Sequence, residues 1–231
     1  MSKIVLLNNC SFTKDEYNNY IRYVSWERRE KLEKYQLFMD QCRGLAAALL
    51  ARSMISENYR KDDREITFGV TEFGKPVCRS IPKVQFNLSH AGTYVAGIFD
   101  EHPVGIDVEQ IPDKKQDQIV EEFFSQMEKD YYQKCVEKEK TFATLWTIKE
   151  AYVKYLGCGL NKELDSFTVY WEKDEIKIYD HEIHENLAIY INSMYKQAYY
   201  LASISQSKPD YIEWSKEELF TKVETQCNII M

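Results

Sequence analysis

The sequence predicts an α+β protein with two similar halves. Apolar residues at helical spacing mark three helices: Tyr17, Tyr20, Ile21 and Val24; Cys42, Leu45, Ala46, Leu49, Leu50 and Met54; Phe142, Leu145, Trp146, Tyr152 and Val153. Before, between and after them, residues 4–7, 84–88, 94–99, 104–109, 167–171, 175–179, 188–194 and 199–205 read as strands. Two hairpins are expected, around Ala91-Gly92-Thr93 and around Tyr195-Lys196-Gln197. Each comes after a helix-rich stretch and then a strand region, which points to a repeated unit.

The totals agree with a soluble globular chain. Its 231 residues, 44% hydrophobic and 29% charged, can bury one large core or two small ones. Seventeen tyrosines and a 14% aromatic share point to well-packed β structure. A net charge of −7 argues against nucleic-acid binding, so an anionic ligand must be held by a local basic cluster or through a metal. The cysteines at 10, 42, 78, 135, 158 and 227 make no C-x-x-C or zinc pattern. They read as reduced thiols of a cytoplasmic protein. The apolar run 4–7 is too short for a signal-peptide core and 45–51 too short to span a membrane, so no membrane partner is expected.

In chain order, Thr13 and Glu16 have capping-box spacing ahead of the first helix. Ser25 can cap a second, over 26–36, that carries Arg28, Arg29, Lys31 and Lys34. Arg28 and Lys31 are neighbours on its surface, although Glu27, Glu30 and Glu33 are interleaved as on a solvated charged face. The core helix runs to about Asn58 with Arg43 at its start. Residues 66–70 read as a strand, and Glu72-Phe73-Gly74-Lys75-Pro76 as a turn with Lys75 at its tip. Residues 119–124 form a short helix. Ser125 and Glu128 then have capping-box spacing, which makes a cap the expected role of Glu128. On the helix over 141–156, Lys149 lends its stem to the apolar stripe, and Gly157 stops the helix. Ser215 with Glu218 can cap a terminal helix.

The chemistry gathers on two elements. The strand ending Phe86-Asn87-Leu88-Ser89-His90 presents a polar tip, and the strand over 104–109 carries Asp107 and Glu109 on one face. Farther on, Trp146, Glu150 and Lys154 form a single row on their helix. Taken alone, the strand pair reads as a solvated face and Glu150–Lys154 as a surface ion pair. Together, Asp107, Glu109 and Glu150 offer hard oxygen ligands suited to Mg²⁺, which also takes phosphate oxygens. A lysine one turn from a metal ligand can neutralise a leaving phosphate. These residues suggest a Mg²⁺-dependent reaction on a small molecule containing a pyrophosphate.

The motifs F-N-L-S-H (86–90), G-I-D-V-E (105–109), F-F-S-x-x-E (123–128) and W-T-I-K-E-A-Y-V-K (146–154) resemble those of 4′-phosphopantetheinyl transferases of the two-halved, surfactin-synthetase-activating type. F-G-K-P (73–76) and the basic segment 28–43 extend the resemblance over most of the chain. Thr147 stands where serine is usual, and Arg28 where lysine is frequent.

The resemblance implies a monomer whose halves, each an antiparallel sheet packed with helices, are related by pseudo-two-fold symmetry. Residues 1–103 would form the side for the coenzyme A 3′-phosphate and adenine. Residues 104–231 would form the Mg²⁺ and carrier-protein side. It further implies that Asp107, Glu109 and Glu150 bind Mg²⁺ (or Mn²⁺) on the coenzyme pyrophosphate, and that Lys154 stabilises the diphosphate and the leaving 3′,5′-ADP. Arg28, Lys31 and Arg43 would hold the 3′-phosphate, with Lys75 near the adenine nucleotide. Ser89 and His90 would touch the phosphates. The acceptor would be a serine of an apo acyl or peptidyl carrier protein lying near residues 158–189, with Glu150 or a metal-bound water as base. A Mg²⁺-dependent phosphodiesterase or nuclease, and a non-catalytic coenzyme A- or carrier-binding protein, are the competing readings. The acidic balance and the need for a protein acceptor speak against the first, and the intact Asp107, Glu109, Glu150 and Lys154 against the second.

Overall fold

Strand β1 (Lys3–Leu7) alternates its side chains between two cores, and the whole fold is organised around that alternation. The computed structural model describes residues 1–183, 187–194 and 198–228. The hairpin expected around Tyr195-Lys196-Gln197 falls at 195–197, outside the described residues.

After β1 come α1 (Lys14–Tyr20), α2 (Trp26–Glu33) and α3 (Phe38–Tyr59). Thr13 and Glu16 form the expected capping box, and Ser25 Oγ accepts from the Arg28 amide. Helix α2 stops at Glu33, earlier than the composition suggested, while α3 begins before the expected core residues and runs one residue past Asn58. Then follow β2 (Phe68–Val70), β3 (Pro76–Cys78), β4 (Gln85–Ala91) and β5 (Tyr94–Asp100). Ser89 and His90, read from sequence as a polar tip, lie within β4, which keeps pairing to Ala91 opposite Tyr94.

The second half repeats this order. β6 (Gly105–Gln110) is followed by α4 (Asp117–Phe123), α5 (Gln126–Lys134) and α6 (Lys138–Leu156). The hairpin β7 (Phe167–Glu172) and β8 (Glu175–Asp180) precedes β9 (Ala188–Met194) and β10 (Tyr199–Ser205). β1 pairs antiparallel with β5 and β5 with β4; likewise β6 pairs with β10 and β10 with β9. Each set is a first strand, a long helix, a short hairpin and a closing hairpin. The chain then returns to the first half. β11 (Asp210–Trp214), not anticipated from sequence, lies parallel to β1, and α7 (Lys216–Asn228) packs on α3.

One apolar core lies between α3 and the first sheet, with Val5, Leu7, Leu49, Leu50, Val95 and Phe99 among its residues. A second lies beneath α6, and a third fills the space between the sheets with Ile4, Leu6, Ile98, Ile106, Val108 and Leu201. α6 crosses β6 at Gly105, where a side chain cannot fit. A Cβ there would come 2.9 Å from Tyr155 Cα and closer still to the Ala151 carbonyl and the Tyr155 nitrogen.

α6 is also fixed in rotation. Lys149 does more than lend its stem: its ammonium is fully buried and donates to both carboxylate oxygens of Glu128, 2.7 Å each, and to the Phe167 carbonyl at 3.0 Å. Glu128 caps α5 as expected, accepting from the Ser125 amide, and accepts from the Val169 amide as well. One carboxylate thus ties together α5, α6 and β7. Burial lowers the Lys149 pKa and the Glu128 charge opposes that shift. Removing one partner leaves the other charge buried without compensation, so Lys149→Met should lower unfolding free energy by about 3–5 kcal/mol in urea denaturation. A loss within the range of an exposed ion pair, about 0–1 kcal/mol, would show that the bridge does not anchor the helix.

Candidate active site at the seam between the halves

β4 and β6 run side by side, yet no backbone ladder joins them. Two side chains of β4 supply the missing bonds. Asn87 Oδ1 accepts from the Ile106 amide at 2.9 Å, and Ser89 Oγ accepts from the Val108 amide at 3.3 Å. The Ser89 hydroxyl then donates to Asp107 Oδ1 at 2.8 Å and accepts from Lys154 Nζ at 3.3 Å. One donor and two acceptor positions are all that a hydroxyl has, so Ser89 is saturated by the protein.

Lys154 Nζ also pairs with Asp107 Oδ1, which joins α6 to the seam. Asp107 is buried, and its Oδ2 has no hydrogen-bond partner. Glu109, two residues along the same face of β6, lies near the Trp146 side chain, whose N–H favours the charged carboxylate. Its carboxyl is pushed up to about 7 by burial and by the Asp107 and Glu150 charges, against the pull of Lys154. The Glu150 carboxyl is raised too, by burial first and then by Asp107, with Lys154 opposing. Sequence reasoning placed Trp146, Glu150 and Lys154 in one row; the structure sets that row against Asp107 and Glu109.

These residues fit a hard divalent cation. The donor set is all carboxylate oxygen, one oxygen is buried without a partner, and the Asp107 charge raises the carboxyls of both Glu109 and Glu150. Among the described residues, no three His, Cys, Asp or Glu side chains form a finished metal cage. Mg²⁺ does not need one, since it binds through one or two carboxylates together with phosphate oxygens.

The basic residues are less uniform. His90 is exposed toward the end of β4; close protein packing lowers its pKa first, with the Arg43 and Lys154 cations adding to the effect. Arg43 pairs with Asp40 and donates to the Gly92 carbonyl at 2.8 Å. Arg28 turns inward, donating from Nη2 to the Gly44 carbonyl at 2.8 Å, while its Nε is buried without a partner. Lys31 is exposed on α2. Lys75 does not project from its turn; its ammonium is held by three backbone carbonyls of the other half.

The comparisons with known proteins meet this geometry. The family model described as 4′-phosphopantetheinyl transferase, N-terminal, matches residues 10–100, and that of the 4′-phosphopantetheinyl transferase superfamily matches residues 103–206. The 4′-phosphopantetheinyl transferase ffp of Bacillus subtilis is 33% identical over 210 residues, covering 87% of this chain and 90% of that protein. This chain belongs to the 4′-phosphopantetheinyl transferase family. The transferase Sfp of Bacillus subtilis strain 168 is 32% identical over 207 residues, with 87% and 90% covered. The transferase psf-1 of Bacillus pumilus is 39% identical over 166 residues, with 69% and 70% covered.

Sequence reasoning on this transferase missed three contributors: Asn87 at the seam, Gly105 at the helix crossing, and the Trp146–Glu109 contact. Asn87 and Ser89 share a strand face by the two-residue period, which is a usable signal for the first. Ser89→Ala should leave the buried Val108 amide without an acceptor and cost about 1–3 kcal/mol of stability. Unchanged urea midpoints would show that the seam does not depend on this hydroxyl.

Proposed function

We propose that this transferase moves the 4′-phosphopantetheine group of coenzyme A onto a serine hydroxyl of an apo acyl or peptidyl carrier protein. The serine oxygen forms a bond to the phosphorus that carries pantetheine. The bond from that phosphorus to the bridging oxygen breaks, 3′,5′-ADP leaves, and the serine proton passes to a base. The observation that carries this reading is the convergence of Asp107, Glu109, Glu150 and Lys154 at the seam, with Asp107 Oδ2 buried and unsatisfied.

Asp107 and Glu150, with Glu109 in support, are the residues that would hold Mg²⁺, or Mn²⁺ in its place. When bound, the ion would neutralise charge on the pyrophosphate oxygens. Lys154 stands beside the same carboxylates, where its ammonium can stabilise the diphosphate that leaves. Glu150 is the candidate base: it stands beside Asp107 and Lys154, and burial raises its carboxyl above the ordinary value, which favours taking up a proton. His90 and Arg43 lie near one another on the first half and would contact phosphate. Lys31, exposed on α2, would reach toward the 3′-phosphate, and Arg28 would have to leave the Gly44 carbonyl to join it. In this reading residues 1–103 form the coenzyme side and the segment from 104 the metal and carrier side, the tail from 210 returning to the first half. No described helix is long and apolar enough to cross a membrane.

Incubation with coenzyme A, Mg²⁺ and an apo carrier, read by mass spectrometry, should show one phosphopantetheine on the carrier serine and release of 3′,5′-ADP. Asp107→Ala and Glu150→Ala should each abolish transfer, and Glu109→Ala should slow it less. Hydrolysis of the coenzyme at equal rate without carrier would contradict a transferase and favour a phosphodiesterase.

A further inference from the structure

The Lys75 side chain crosses from the turn between β2 and β3 into the second half. Its Nζ donates to the Lys154 carbonyl at 2.6 Å, the Val104 carbonyl at 3.1 Å and the Tyr155 carbonyl at 3.4 Å. An ammonium has three donors, and all three are used. The acceptors are informative. α6 ends at Leu156, so the carbonyls of its last turn lack partners within the helix. The Val153 carbonyl accepts from the amide of Gly157, which takes the left-handed conformation at φ 71°. The next two carbonyls take Lys75, and a cation at this end also suits the helix dipole. Val104 immediately precedes Gly105, where β6 touches the backbone of α6.

We infer that Lys75 is a positioning residue: by capping the last turn of α6 and gripping the start of β6, it holds the Lys154 ammonium against Asp107. This assignment gives the Lys75 ammonium a task distinct from the place near the adenine nucleotide that the resemblance implies for the residue. The stem lies along Gly157, where a Cβ would come 3.1 Å from Lys75 Cδ, so the side chain is laid down in a fitted course. Lys154 is engaged at both ends, its carbonyl by Lys75 and its ammonium by Asp107. Movement of that turn would therefore be felt directly at the carboxylate. The inference rests on the proposed role of Lys154 in the transfer.

The test is a double-mutant cycle on carrier phosphopantetheinylation, with kcat and KM for coenzyme A measured separately. Lys75→Met should lower kcat about tenfold or more and leave KM within about twofold, the pattern of a lost transition-state interaction. In a Lys154→Ala background the same change should cost less than about twofold, because residues acting through one another are not additive. Lys75→Arg, which keeps a cation and several donors, should recover most of the lost kcat. If Lys75→Met does not fold, Lys75→Gln is measured in both backgrounds with the same expectations. A rise in KM at constant kcat would assign Lys75 to the coenzyme and overturn the inference. Additive losses, or no loss at all, would overturn it equally. Near-normal turnover by Lys154→Ala alone would instead refute the role given to Lys154.

Discussion

The two halves meet along a seam where side chains stand in for a β-ladder, and the site exists because of it. Had β4 and β6 paired through their backbones, Asn87 and Ser89 would have had no amides to serve. The substitution makes Ser89 a junction instead. Its hydroxyl satisfies the Val108 amide, orients Asp107 and meets Lys154. A low-dielectric environment strengthens each of these bonds and makes any unsatisfied atom costly. Asp107 Oδ2 is such an atom, and it lies where a cation is expected.

The seam requires α6 to lie at a fixed height and rotation over β6. Three devices set that placement. Gly105 permits backbone contact, the buried Glu128–Lys149 pair fixes rotation, and Lys75 secures the last turn. The adjacent Lys149 and Glu150 divide the labour. One residue goes inward to the protein's own carboxylate, and the next is left half-buried to face Asp107. A buried ion pair is not in itself a large source of stability. Here its contribution is to specify one orientation of the helix.

Features that depend on near neighbours were legible in the sequence. The capping boxes at Thr13, Ser125 and Ser215, the shared face of Asp107 and Glu109, and the row Trp146–Glu150–Lys154 all follow from helical or strand period. Pairings between distant segments were not. Lys149 and Glu128 lie 21 positions apart and Lys75 and Lys154 lie 79 apart, and neither spacing carries a periodic signal. The parallel pairing of β11 with β1 joins opposite ends of the described chain and has no local signature. Arg28 shows the same limit. The interleaved charges of α2 suggested a solvated face, whereas packing against α3 turns the guanidinium inward onto Gly44.

The central claim is that Asp107 and Glu150, brought together at the seam, hold one divalent cation with the coenzyme pyrophosphate. Mn²⁺ titration followed by water-proton relaxation tests this most directly, with coenzyme A present and carrier absent. The account predicts one ion per chain in the wild type, its loss in both Asp107→Asn and Glu150→Gln, and weakened binding in Glu109→Gln. Undiminished Mn²⁺ binding in the Asp107→Asn and Glu150→Gln proteins would contradict it.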